Sequence, residues 1–210
     1  MAVKAVVVDI GGVLERVDDA SWPQQWISRW ERRKQLPAGH VAAGIAGHAL
    51  PDDVATGRVT EAELRDLYAA ALGLDVTETD EMWAEMWDAY CGELDVTMRD
   101  FVAGLRPAYK TVILSNSADG ARREEQRRYD FEGLVDEIVY SHEVGIAKPD
   151  PAVFRLTGQL VGVAPGEVVF IDDDAGHVEA ARAHGWHAVL HTESQQTIAD
   201  VTQLLLSQRS

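Results

Sequence analysis

The sequence predicts an α/β fold, a parallel sheet with helices on both faces and a helical unit inserted after the first strand. Three observations carry this. Short valine- and isoleucine-rich runs without helical period recur at 5–8, 111–114, 138–140, 168–171 and 187–190, as expected of strands buried on both faces. Helical stretches separate the last four of these runs, the rhythm of strand–helix–strand units. Between the first and second runs, residues 16–92 carry helical patterns and no strand signal.

The first run ends on a carboxylate, Asp9, followed by Ile10, Gly11 and Gly12. In an open α/β sheet ligands sit beyond the carboxyl ends of the strands, and Asp9 is placed there. The same residue also suits a turn closed by a side-chain-to-backbone bond. Beyond Leu14 the pattern becomes helical. Trp22, Trp26 and Trp30 recur every fourth residue with Ile27 between them, and Pro23 suits a first helical turn. Arg29, Arg32, Arg33 and Lys34 form a local basic cluster, which reads either as a solvated helix end or as a phosphate-gathering face. Residues 38–49 predict a short, weakly specified helix, in which His40 and His48 lack the spacing of a metal pair. Thr60-Glu61-Ala62-Glu63 is a capping-box signature ahead of Leu64, Leu67 and Ala71, and Gly73 suits the end of that helix. Met82, Trp83, Met86, Trp87 and Tyr90 mark the face of the next one, the pattern of a core or of a pocket wall.

From residue 95 helix and strand alternate. Helices are expected at 96–105, 118–129, 151–160, 178–184 and 197–206, before, between and after the four later strands.

Composition narrows the function. The 210 residues are 46% hydrophobic with a formal net charge of −16, which argues against a general nucleic-acid or anionic-membrane surface. No run approaches the ~20 apolar residues of a membrane span. The single cysteine, Cys91, excludes an internal disulfide and fits a small apolar filler in a reducing compartment, so a cytoplasmic location is expected.

Three strands end on polar groups, namely Asp9, Ser115-Asn116 and Asp172-Asp173, and Lys148-Pro149-Asp150 precedes a helix. Each has a structural reading as a turn or cap. Carboxylates gathered at neighbouring strand ends stay charged most easily around a divalent cation, and hard oxygen ligands suit Mg²⁺.

This order of elements resembles the haloacid dehalogenase (HAD) superfamily, most of whose members are phosphatases. The residues that carry the resemblance are the run 9–14 (Asp-Ile-Gly-Gly-Val-Leu), 114–117 (Leu-Ser-Asn-Ser), 145–154 with Lys148, and 169–174 with Asp172 and Asp173, followed by His177. The resemblance implies a Rossmann-like core at 1–15 and 93–210 with a helical cap at 16–92. It implies that Asp9 is the nucleophile forming an aspartyl-phosphate, that Ser115 and Asn116 hold the phosphoryl group, and that Lys148 neutralises charge between Asp9 and the phosphoryl oxygens. It also implies a Mg²⁺ held by Asp9, the Gly11 carbonyl, Asp172 and Asp173, with Asp173 as the more direct ligand of the acidic pair. The implied substrate is a small-molecule phosphate ester such as a sugar phosphate.

One position departs from the pattern. Most phosphatases of the superfamily carry a second aspartate two residues after the nucleophile, as general acid and base. Here that position is Gly11, and general acid–base assistance is typically worth about a hundred- to ten-thousandfold. A phosphatase-like branch shares this Asp-x-Gly-Gly motif. Glu15, Arg16 and Asp18 lie just beyond it. His177 suits either a contact behind the metal site or a helix surface. The alternatives are a binding or regulatory protein with weak turnover, and a 2-haloacid dehalogenase, which needs no phosphate-bridging cation.

Overall fold

The computed structural model describes residues 2–17, 23–48 and 50–207; Trp22 and Asp18 lie outside them. Five parallel strands form the main sheet in the order β5-β4-β1-β6-β7. The first, β1 (Ala5–Val8), leads through the 9–14 loop into β2 (Glu15–Arg16). Among the described residues, five helices follow before the chain returns: α1 (Gln24–Arg33), α2 (His40–Gly44), α3 (Leu50–Ala55), α4 (Glu61–Leu72) and α5 (Val76–Cys91). The strand β3 (Glu93–Leu94) then pairs antiparallel with β2, so one two-stranded ribbon carries the chain into and out of the helical insert.

The remainder alternates as expected. It runs α6 (Val96–Leu105), β4 (Lys110–Ser115), α7 (Ala121–Tyr129), α8 (Phe131–Leu134), β5 (Glu137–Tyr140), α9 (Ser141–Val144) and α10 (Pro151–Val161). It closes with β6 (Val168–Asp172), α11 (Ala175–Ala183), β7 (His187–Leu190) and α12 (Ser194–Ser207). Among the described residues no helix is long and apolar enough to cross a membrane.

Alternation along the strands explains why both sheet faces are covered. Val6 and Val8 pack with Ile113, Val169 and Ile171 on one face, against Met98 and Val102 of α6 and Val201 and Leu205 of α12. Ala5 and Val7 pack with Leu114 and Phe170 on the other, against Phe154 of α10 and Val178 of α11. A strand buried on both sides needs no polar face, which is why these runs read as continuous apolar stretches.

The insert packs on its own aromatic centre. Trp26 of α1 lies 5.2 Å from Tyr68 and 6.0 Å from Trp83, ring centre to ring centre, and Trp30 and Met82 are fully buried beside them. The Thr60 capping box forms, with the Glu63 N–H donating to the Thr60 hydroxyl and Glu63 accepting from the Thr60 N–H. Gly73 ends α4 in the left-handed region, at φ +63°. The basic cluster of α1 faces the acidic side of α5. Arg33 binds Glu81 at 2.8 Å, Lys34 binds Glu78 at 2.9 Å, and Arg29 approaches Glu85 at 3.6 Å. Three of its four cations therefore join two helices of the insert.

Elsewhere the expected elements shift. The short helix expected at 38–49 is α2, and a further short helix, α3, follows it from Leu50. The helix after β4 starts at Ala121, because Asp119 and a left-handed Gly120, at φ +96°, make a turn first. The ribbon strands have two residues each, too few to show alternation.

Behind the 9–14 loop the core holds two buried carboxylates. Glu125 of α7 accepts a short hydrogen bond from the Tyr140 hydroxyl, and Glu15 of β2 lies close enough to feel its charge. One oxygen of each, Oε1, has no hydrogen-bond partner. Burial, reinforced by the Glu125 charge, pushes the Glu15 carboxyl up to about 10. Burial likewise pushes Glu125 up to about 8, although the Tyr140 bond opposes it. Both are held protonated in the fold at neutral pH but ionise near 4.5 in the unfolded chain. Folding stability is therefore full below about 4.5 and falls as pH rises through about 8. Each retained proton contributes a slope of up to about 1.4 kcal/mol per pH unit. Urea midpoints measured from pH 5 to 9 are expected to decline, and Glu125→Gln to flatten the decline. An unchanged slope in that variant contradicts the assignment.

Candidate active site

Register brings the polar strand ends together. Val8 of β1 pairs with Ile113 of β4 and with Ile171 of β6, so Asp9 stands beside Asp172 and within one residue of Ser115. The Asp9 N–H donates to the Ile171 carbonyl at 2.9 Å, continuing the ladder one step past β1. The chain runs from β1 to β4 and β5 on one side, then crosses to β6 and β7 on the other. This reversal of strand order opens a crevice at the carboxyl ends, where open α/β sheets bind ligands.

Lys148 sits at the centre. Its side chain is fully buried, and its Nζ lies 2.8 Å from Asp9 Oδ2 and 2.6 Å from Asp172 Oδ2. The lysine is held by Asn116, whose amide donates to the Lys148 carbonyl and whose oxygen accepts from the Lys148 N–H, both at 2.8 Å. Both ends of the Asn116 amide are thus engaged on backbone. These two bonds hold the Lys148 backbone beside the end of β4. Ser115 is buried at the end of β4, and its hydroxyl makes only a long bond of 3.4 Å to the Asn116 carbonyl.

The electrostatics follow from burial. Asp9 is raised to about 7, chiefly because it is buried, with the Lys148 charge opposing and the Asp172 charge adding to the rise. Burial acts on Asp172 in the same sense, yet bonds from His177 and Lys148 outweigh it and hold that carboxyl down at about 2. For Lys148, burial works against the charge and the two carboxylates more than offset it, so its pKa is raised.

His177, whose role the sequence left open, joins the cluster. Its Nδ1 is 3.1 Å from Asp172 Oδ1, and donor atoms of Asp9, Asp172 and His177 all lie within 4.8 Å of one another. The first turn of α11 brings it there, capped by Asp174, which accepts from the His177 N–H at 3.0 Å. Asp173 is exposed, and its carboxylate lies against Gly12. A Cβ at Gly12 would fall 2.0 Å from Asp173 Oδ2, and φ there is +70°, so both space and backbone require glycine. At Gly11 neither holds, because a Cβ there meets nothing within 4 Å. Cys91 is buried, and burial pushes its thiol up, as suits a packing residue.

The donor chemistry fits a hard divalent cation. Two buried carboxylates face one lysine, so the cluster holds one negative charge more than positive when both are ionised. Mg²⁺ takes carboxylate oxygens and completes its shell with waters and a phosphate oxygen. Removing the Lys148 charge from between the two carboxylates is correspondingly costly. Lys148→Met is expected to lose about 3–5 kcal/mol at pH 8. The loss shrinks toward pH 5, where Asp9 takes up its proton. Denaturation with and without Mg²⁺ checks this, and part of the loss is expected to return with the metal. A loss independent of both pH and Mg²⁺ argues against charge as its cause.

The chain is 24% identical over 192 residues to the D-ribitol-5-phosphate phosphatase of Bacteroides thetaiotaomicron, covering 88% of this chain and 89% of that protein. It is 26% identical over 223 residues to the bifunctional epoxide hydrolase 2 of Sus scrofa, with 97% of this chain covered but only 39% of the longer relative. The fold matches that of a HAD family enzyme from B. thetaiotaomicron in complex with magnesium and inorganic phosphate. The TM-score is 0.75 and the identity 22%, over 91% of this chain and 95% of the other. A family profile matches residues 3–185, and the chain belongs to the haloacid dehalogenase-like hydrolases.

Proposed function

We propose that the chain is a Mg²⁺-dependent phosphatase that hydrolyses the phosphate monoester of a small molecule through an aspartyl-phosphate on Asp9. The observation that carries this is the buried Asp9–Lys148–Asp172 cluster at the reversal of strand order. In the first step a carboxylate oxygen of Asp9 attacks phosphorus, an acyl phosphate forms, and the ester oxygen leaves as the alcohol after taking a proton. In the second, water attacks phosphorus, inorganic phosphate departs, and the Asp9 carboxylate is restored. Splitting one displacement into two easier ones is the gain of a covalent intermediate.

Lys148 holds its charge against both carboxylates and faces the phosphoryl oxygens as they approach Asp9. Ser115, buried at the strand end with a weakly engaged hydroxyl, is free to donate to the phosphoryl group. Asp9 and Asp172 would hold the metal, with the Gly11 carbonyl and Asp173 beside them, and His177 orients Asp172. Bound there, Mg²⁺ supplies charge neutralisation and in-line positioning. We take 16–92 as a cap over the site and 1–15 with 93–210 as the core. A relative supports the substrate class, since the B. thetaiotaomicron phosphatase acts by its name on a phosphorylated small molecule.

The test is phosphate release from a panel of monoesters with and without Mg²⁺. Inertness across the panel overturns the reading. The open space at Gly11 favours a second reading, a protein that binds and accepts phosphate but turns over slowly. Stoichiometric phosphorylation of Asp9 without sustained release would support it. Chloride release from a 2-haloacid insensitive to EDTA would instead indicate a dehalogenase.

A further inference from the structure

Between the helical insert and the carboxyl end of β4 lies a cavity of about 390 Å³. Its floor is residues 116–119, which directly follow Ser115. Asn116 both lines this cavity and holds the Lys148 backbone, so the cavity adjoins the Asp9–Lys148 cluster. Its walls come from the insert, with Trp26, Tyr68, Trp83, Met86, Trp87 and Tyr90 the large contributors.

Apart from the Tyr68 hydroxyl, the polar groups along these walls are already engaged. The Trp26 Nε1–H donates to the Met82 carbonyl at 3.2 Å. Glu61 accepts from Trp87 Nε1 at 2.9 Å and from Arg123 Nη1 at 3.0 Å. Asp119 accepts from the Glu61 N–H at 2.9 Å, and the Thr60 hydroxyl is bonded within its capping box. Ser117 Oγ shares a hydrogen bond of 2.8 Å with His142 Nδ1, and both ends of the Asn116 amide are bonded to Lys148. Trp83 Nε1 has no partner, but it is sealed from solvent and presents nothing to a ligand.

A sugar or polyol brought into such a space loses water at each hydroxyl and finds few partners in exchange. Each unpaired hydroxyl disfavours binding, whereas an apolar group loses nothing by entering. At about 30 Å³ for a water-sized group, the cavity holds on the order of a dozen methylene-sized groups.

We propose that this cavity takes the leaving group of the substrate, and that the substrate is the monophosphate of an apolar alcohol of about that size, not of a sugar or polyol. For the phosphate half this rests on the phosphatase reading above.

The test is a titration of tryptophan fluorescence in Asp9→Asn protein with Mg²⁺ present. The probes are butyl to tetradecyl phosphates below their micellar concentrations, with ribitol 5-phosphate and glucose 6-phosphate beside them. Affinity is expected to rise about two- to fourfold per methylene and to level off near a dozen carbons. Ala55→Phe, which fills part of the cavity, is expected to move the plateau to shorter chains. Leu64→Asn, on the same wall, is expected to reduce the gain per methylene. Polyol phosphates that bind as tightly as decyl phosphate overturn the proposal, as does an alkyl series without length dependence or one that neither variant alters.

Phosphate release by the unaltered protein separates this inference from the reading it rests on. If alkyl phosphates bind with the expected length dependence but none is hydrolysed, turnover fails and the cavity assignment stands. If polyol phosphates are hydrolysed in preference to alkyl phosphates, the phosphatase reading stands and this proposal fails.

Discussion

Asp9→Asn is expected to lower kcat/KM for phosphate esters by at least about a thousandfold, the order seen when a catalytic nucleophile is removed, while the fold is kept or strengthened. The two effects have one cause. The carboxylate that attacks phosphorus is buried, and burial raises it to about 7. A group whose folded pKa lies above its unfolded value of 3.8 withdraws stability as pH rises from about 4 through 7. The amide has the same shape and no charge to desolvate, and Lys148 keeps its second partner, Asp172, at 2.6 Å. At pH 8 the variant should therefore melt at or above the temperature of the parent, and at pH 5 the difference should narrow. Thermal melts paired with phosphate-release kinetics check both halves. A variant that unfolds would show Asp9 to be structural, and one that keeps full activity would remove it from the chemistry.

Gly11→Asp is expected to act in the opposite direction. A side chain at this position meets nothing within 4 Å, and the backbone there does not call for glycine. The new carboxyl stands two residues from the nucleophile, where it can protonate the departing alcohol oxygen and then draw a proton from water. The gain in kcat should be on the order of a hundredfold for alkyl esters, whose alkoxides leave poorly without a proton. It should be small for p-nitrophenyl phosphate, whose leaving group needs little help. The pH–rate profile should gain a second limb, because an essential acid now titrates beside the base. A third carboxylate near Asp9 and Asp172 also adds negative charge, so dependence on Mg²⁺ should steepen. Equal gains on both ester classes would point to improved binding, not to proton transfer.

The parts of this molecule that sequence made visible are those whose pattern is local. Val6, Val7 and Val8 announce a strand because both of their faces are buried, and Thr60 with Glu63 announces a helix start because both bonds of the cap are made within four residues. Asp9 and Asp172 were visible as carboxylates at strand ends, and parallel register then brings them side by side. What stayed hidden depends on partners far along the chain. Asn116 meets Lys148 across 32 positions, and nothing near either residue shows that the amide serves the lysine backbone. Glu125 and Tyr140 pair only because α7 folds back beside β5. The aromatic stripe at Trp83 and Trp87 read first as core, with a pocket wall left open. The structure gives both answers, since Trp26 and Trp83 pack on each other and also line the cavity. The cations of α1 read either as a solvated helix end or as a phosphate surface, and their pairing with the acidic face of α5 was not visible in the sequence.

The central claim is that Asp9 becomes covalently phosphorylated. It is tested most directly by rapid quench of the protein with Mg²⁺ and a phosphate monoester, followed by mass spectrometry of the peptide that contains Asp9. One phosphoryl group on that residue is predicted, forming before phosphate is released and absent in Asp9→Asn. Release of phosphate with no phosphorylated Asp9 at any quench time, or release that persists in Asp9→Asn, would contradict it.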